Sequence, residues 1–414
     1  MKPLMKPSVL AIADSDSYLK LATSFLHRLG PEWDRKVYLA RTPVMPTEQQ
    51  ISAAFEGTDL DPQMLEVIQL SQLEADSVQE DIIFASATGP VVAEIYSRIL
   101  RTEPVDGRRT ALISALPGVA YPATQKGWNY RRAGDAFICH SHAEARDFSF
   151  MTESHAGHQP TIMVSKLPFL NCTGFPPAQE KLVNRLVFAP QAKVPETAEQ
   201  RESILLALEQ ASKMNPGLEV VVKLRAKAGE PQTHLEAHPY DSLFTQLQSR
   251  NRISAESRIQ FDTGSMSEAL VPGSALVTVS STAALESLDR GLPTMVLSDF
   301  GVNRQMINTV FVASGIIGEL EDVVSLNFGE PSKAWLRENY FHRMDRSFFQ
   351  SLEFLARRAN AGQLHTDPEV LVFIRRQPLR HRLRTALPSP VVKVLLKMRQ
   401  GYRKSRNHRA RSLS

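Results

Sequence analysis

Hydrophobic positions along this chain follow two spacings. Short unbroken runs such as Leu276-Val277-Thr278-Val279 have the length and β-branching of strands covered on both faces. Elsewhere apolar residues return every three or four positions, as at Leu19, Leu21, Ala22, Phe25, Leu26 and Leu29, which is the spacing of an amphipathic helix. Strands are predicted at residues 8–13, 37–40, 66–70, 81–85, 109–114 and 136–140, with helices at 47–55 and 91–100 among them. Residues 160–177 read as a strand and then a proline- and glycine-marked connector, the best boundary between two halves. The second half restarts with strands at 185–189, 218–224, 258–261, 276–279 and 294–297, and a helix at 195–214. Residues 335–359 are an aromatic-rich helix or helix pair expected to pack across both halves. Strands alternating with helices imply parallel sheets. The fold class is therefore α/β, with parallel-sheet domains at 1–175 and 176–330, a helical segment at 331–370 and a tail at 371–414.

The most informative stretch is residues 275–300. A strand stops at Ser280-Ser281-Thr282, a helix carrying Glu286 follows, Gly291-Leu292-Pro293 closes it, and residues 294–297 make a parallel strand. Ligands of such βαβ units sit beyond the carboxyl ends of the strands. Three hydroxyls beside free backbone N–H groups suit a phosphate, although a serine or threonine there also serves as an ordinary helix cap. Glu286, four residues after Thr282, is placed either to accept hydrogen bonds from a sugar or to pair with Arg290.

Past the strand at 218–224 lies a second polar cluster of Lys223, Arg225, Glu230 and His234, with His238-Pro239 beyond it. Lysine and arginine at a strand end are placed to neutralise a leaving phosphate, and His234 to hydrogen-bond the departing oxygen. In the first half, Asp16, His140 and Asp14 each stand at a strand end and are the candidates for a general base. Capping the following helix is the competing role for Asp14. Ser86, Thr88, Gly118, Tyr121, Gln125 and Lys126 are expected around the acceptor.

Charge changes the picture at one end. Residues 371–414 hold thirteen Lys or Arg and no Asp or Glu, so 1–370 carry 35 basic against 44 acidic residues. An acidic body with a basic tail argues against nucleic acid as partner and puts any polyanion contact in the tail, where anionic lipid is the expected surface. The alternative for the tail is a disordered solubilising extension. No apolar run approaches the ~20 residues of a bilayer span, and no signal peptide is visible, so a cytoplasmic protein at the inner membrane face is expected. Cys139 and Cys172 lack metal-ligand spacing and read as reduced structural thiols.

Strand, Ser-Ser-Thr, helix, Glu, Gly-Leu-Pro and strand, set in the second of two Rossmann-like halves, resemble the GT-B superfamily of nucleotide-sugar glycosyltransferases. The closer likeness is to bacterial capsule polysialyltransferases and Kdo transferases, over about residues 185–320. The resemblance implies two Rossmann-like domains facing a cleft, a nucleotide-sugar donor held by Ser280, Ser281, Thr282 and Glu286, and a glycan or lipid-linked envelope acceptor. The family's His-Pro motif would follow the 218–222 strand, where this chain has Lys223-Leu224. Asp14-Ser15-Asp16 has the spacing of a metal motif but ends the first strand of the acceptor half, so the transfer is expected to be metal-independent and without a cofactor. A sugar-nucleotide 2-epimerase, a CDP-alditol polyol-phosphate transferase and a noncatalytic binding protein with a polyanion-binding tail are the rival readings.

Overall fold

The computed structural model describes residues 6–43, 45–101, 107–153, 158–167, 170–172, 175–179, 182–224, 236–343 and 346–376. Seven strands form the first sheet: β1 (Ser8–Ala13), β2 (Asp34–Ala40), β3 (Leu65–Ile68), β4 (Ile82–Ser86), β5 (Ala111–Ala115), β6 (Ala136–Cys139) and β7 (Thr161–Val164). Their helices are α1 (Asp16–Leu29), α2 (Glu48–Phe55), α3 (Gly89–Leu100), α4 (Gln125–Arg131) and α5 (His142–Glu153). The second sheet has β8 (Arg185–Ala189), β9 (Glu219–Lys223), β10 (Ile259–Asp262), β11 (Ser274–Thr278), β12 (Thr294–Leu297) and β13 (Ile317–Gly318). With it run α6 (Ala198–Met214), α7 (Tyr240–Ser249), α8 (Met266–Ala269), α9 (Ala283–Asp289) and α10 (Leu320–Ser325). The chain ends its described course in α11 (Lys333–Glu338), α12 (Arg346–Asn360) and α13 (Pro368–Arg376).

Both sheets are wholly parallel, in the orders β3-β2-β1-β4-β5-β6-β7 and β10-β9-β8-β11-β12-β13. Each is covered on two sides, which explains why its strands are apolar without alternation. Val9, Ala11 and Ala13 of β1 pack toward α1 and α12, while Leu10 and Ile12 pack toward α3 and α13. In the second sheet Leu186 and Phe188 face α6 and α7, whereas Val187 and Ala189 face α9. Successive side chains thus feed opposite layers.

The aromatic-rich segment is two helices rather than one, and it divides between the halves. Trp335, Leu336, Tyr340 and Phe341 join the core beside β11 and β12, while Phe348, Leu352 and Leu355 join the core beside β1 and β4. The strand expected within 160–177 is β7, which pairs parallel with β6 as the last member of the first sheet. Among the described residues no helix is long and apolar enough to cross a membrane. The apolar and basic stretch at 391–399 lies outside the described residues.

Candidate functional site at two facing switch points

In each sheet the strand order reverses at one place. β1 lies between β2 and β4, and β8 between β9 and β11. Loops leaving neighbouring strands in opposite directions open a crevice there, the usual ligand position of such sheets. The crevices of this protein therefore lie beyond β1 and β4, and beyond β8 and β11.

In the first crevice Asp14 does not cap α1. Ser15 is the cap residue and its side chain makes no capping bond. Instead, Asp14 Oδ2 accepts from the Thr88 backbone N–H at 3.0 Å and from the Thr88 hydroxyl, tying the β1 loop to the β4 loop. Asp14 is 4% exposed, and its Oδ1 is buried with no hydrogen-bond partner among the described residues. Burial pushes its carboxyl above the ordinary 3.8, against the pull of the Thr88 bonds. Asp16 opens α1 and is half-buried. Ser86, expected at the acceptor, is instead fully buried and donates to the Tyr18 carbonyl at 2.8 Å.

His140 is likewise turned to backbone. Its ring nitrogens face two backbone carbonyls, Nε2 that of Leu116 at 2.8 Å and Nδ1 that of Ser165 at 3.3 Å, and burial lowers its pKa. Whichever nitrogen carries the proton of the neutral ring, both are turned to backbone rather than to an acceptor. It is a strut for the loop after β5. The same loop hangs from α5: Glu144, fully buried, accepts from the Ala120 N–H at 2.7 Å and Asp147 from the Ala123 N–H at 2.6 Å. Glu144 also receives the Tyr340 hydroxyl at 2.6 Å. These helix carboxylates escaped the sequence reading because nothing in their spacing says which loop crosses above them. Gln125 and Lys126 begin α4 and are exposed, and half-buried Tyr121 packs against the core of the other half.

The second crevice holds the hydroxyl cluster. Ser280 Oγ donates to the Ile307 carbonyl at 2.5 Å, so this serine serves the loop after β12. Ser281 Oγ accepts from the Ala283 N–H at 3.2 Å, which leaves its own hydrogen to donate elsewhere. Thr282 is the cap residue of α9 but makes no side-chain capping bond. The capping role therefore accounts for Ser281 and not for Thr282. α9 spans only seven residues, so hydroxyls rather than a long helix dipole supply the polarity here. Glu286 is half-buried, and Arg290, its expected partner, donates to the Ser267 and Leu270 carbonyls instead.

Lys223 is corrected too. Its ammonium is buried against Asp262 at 2.5 Å, so its charge is already matched by a carboxylate on the neighbouring strand. Arg225, Glu230 and His234 lie outside the described residues. The sequence reading missed the loop after β8, which has no glycine or hydroxyl signature. Gln191 Nε2 donates to the Ser280 carbonyl, and the loop is held by Arg201, 1% exposed. Arg201 bonds the carbonyls of Pro195 at 2.8 Å, Gln191 at 3.1 Å, Ala192 at 3.0 Å and His238 at 2.9 Å, and pairs with Glu236. His238-Pro239 is thus scaffold.

The halves meet at these loops. A Cβ on Gly118, in the loop after β5, would lie 2.8 Å from Thr282 Cγ2. The first half's loop therefore sits directly on the hydroxyl cluster of the second.

A family model described as "Putative glycosyltransferase (DUF6716)" matches residues 9–355. No curated protein sequence matches the chain. Among solved structures, the S. aureus MnaA-UDP co-structure is similar at a TM-score of 0.52 and 10% identity, covering 87% of this chain and 98% of that one. UDP-GlcNAc 2-epimerase from Methanocaldococcus jannaschii is similar at 0.51 and 10% identity, covering 84% and 99%. At such identities the likeness is one of fold. The family match spans both sheets and their facing crevices, and the chain belongs to this glycosyltransferase family, built on the two-domain GT-B fold.

Proposed function

We propose that the protein transfers a sugar from a nucleotide-activated donor, held over β8 and β11, to an acceptor hydroxyl over β1 and β4, with Asp14 as general base. What carries the reading is Asp14: a buried carboxylate at the first crevice with one oxygen bound by Thr88 and the other without a hydrogen bond among the described residues. In the reaction the acceptor oxygen bonds to the anomeric carbon, its proton passes to Asp14, and the bond from that carbon to phosphate breaks with its electron pair leaving on the nucleotide. Ser281, Thr282 and backbone N–H groups meet the phosphate, without a metal or cofactor, and Glu286 accepts from the donor's hydroxyls. Asp16 stands at the mouth of the acceptor crevice, with Gly118 and Tyr121 between the two bound groups.

The experiment is a melting screen with UDP, CDP, CMP and GDP. One of them at 100 times its dissociation constant should stabilise the protein by about 2.7 kcal/mol. No shift with any of the four would sink the reading. A new epimer formed from UDP-GlcNAc alone would replace transfer by epimerisation.

The close approach of the two loops supplies a second expectation. Gly118→Ala should weaken binding of the selected nucleotide roughly tenfold, within the ~1–3 kcal/mol typical of overpacking. Adding Thr282→Ser removes the opposing methyl and should recover most of it. Calorimetric titration of the three proteins decides, and equal affinity in all would separate the loop from the site.

The acceptor is proposed to be a lipid-linked or envelope glycan. Residues 377–414 lie outside the described residues, and the cations of 371–414 would hold the enzyme to anionic lipid at about 1 kcal/mol each. Flotation on anionic vesicles should be lost when 371–414 are removed; equal flotation on neutral vesicles would dismiss the electrostatic account.

A further inference from the structure

The two crevices are joined at their backs as well as at their mouths. α1 starts beside Asp14 and α9 starts beside Thr282, so their first turns form opposing walls. Their last turns converge on one short segment between the sheets. From α1, Arg28 donates to the carbonyls of Lys166 at 3.1 Å and of Leu167 and Leu170 at 3.4 Å each. From α9, Asp289 accepts the N–H groups of Asn171 at 2.7 Å and Cys172 at 3.0 Å, one on each carboxylate oxygen.

Asp289 is placed against local preference. An aspartate in the last turn of a helix faces the negative end of the dipole, where it costs about 0.3–1 kcal/mol. It is 8% exposed, so it also gives up water. The two linker N–H groups offset both costs. Arg28 is half-buried in turn, and burial opposes its charge while Asp289 favours it. Lys166 closes the segment on itself, its buried ammonium bonded to the Cys172 carbonyl. Leu167 and Leu170 are buried in the core beside α9.

We propose that Arg28 and Asp289 are positioning residues for transfer, pinning the acceptor-side and donor-side helices to one linker so that their opposite ends keep a fixed separation. This rests on the transfer reading above. The lever explains the sensitivity: α1 is about 21 Å long at 1.5 Å per residue, so a 5° tilt at the linker displaces its first turn by about 2 Å. Displacements near 1 Å from productive geometry can cost 100-fold in rate.

The test compares the full chain with Arg28→Lys and Asp289→Asn, using the nucleotide the melting screen selects and the corresponding nucleotide sugars, with water as acceptor. Lysine has no planar fork to span three carbonyls, and asparagine loses the charge while keeping the volume. Amide exchange at Asn171 and Cys172 should quicken in Asp289→Asn. Nucleotide affinity should stay within threefold in both variants, because α9 stays packed in the second half's core and carries the hydroxyl cluster with it, while the rate at saturating donor falls at least tenfold. Should Asp289→Asn fail to fold, Arg28→Lys alone carries the comparison. Variants that turn over within twofold of the parent would overturn the latch and leave the transfer reading intact, whereas a parent that binds no nucleotide removes the transfer reading itself.

Discussion

Asp14→Asn is expected to lower sugar transfer 100- to 10,000-fold, the span usual for losing a positioned general base. Asparagine keeps an oxygen for the two Thr88 donors, so the β1 and β4 loops stay tied and the fold survives. Nucleotide affinity should hardly change, because the donor lies over the other sheet. Single-turnover rates with calorimetric titration separate the two effects. A variant that keeps its rate would move the base elsewhere, Asp16 first. The pH behaviour has a definite sign. The folded-state pKa of Asp14 is raised, chiefly by burial, so the folded protein holds this proton more tightly than the unfolded chain does. The group's contribution is full below the ordinary 3.8 and is lost as pH climbs through the raised value. The parent should therefore lose stability relative to Asp14→Asn between acid and neutral pH, and transfer should rise over the same interval as the base ionises. Melting curves of both proteins from pH 4 to pH 8 check the first part, and a constant difference would show that the carboxyl does not titrate there.

Arg201→Met should cost the largest share of stability, about 3–5 kcal/mol, as expected when one partner of a buried pair is removed. Methionine fills much of the space but offers no donor, leaving Glu236 without its cation and four loop carbonyls without their hydrogen bonds. At roughly 2–4 °C per kcal/mol for a domain of this size, melting should fall by about 10 °C. Nucleotide affinity should fall as well, because the loop that carries Gln191 against the Ser280 carbonyl is hung from this guanidinium. Arg201→Lys, keeping charge without the fork, should recover less than half of the loss. A stable Arg201→Met protein would mean that the loops after β8 and before α7 are held by packing alone.

Strand-end polar residues show where reading the chain reaches its limit. Asp14, Ser86, His140, Lys223 and Ser280 look alike in sequence, each a polar group where an apolar run stops. In the structure Asp14 crosses to Thr88, Ser86 bonds the Tyr18 carbonyl, His140 holds Leu116 and Lys223 pairs with Asp262, 39 residues on. Pairing order and the parity of each strand settle these outcomes, and both depend on residues far away along the chain.

Sequence alone determined the alternation of strands and helices, the two parallel sheets and the hydroxyl turn that opens α9. Those follow from local rules: burial on two faces makes strands continuously apolar, and glycine, proline and small polar residues end them. Only the tertiary structure decided which strands are neighbours, and with that the two reversal points, the seat of Gln191 against Ser280 and of Gly118 against Thr282, and the tie of α1 and α9 to one linker. Such contacts join residues up to about 160 positions apart, and their energy lies in hydrogen bonds and exclusion of water that exist only once the sheets have packed.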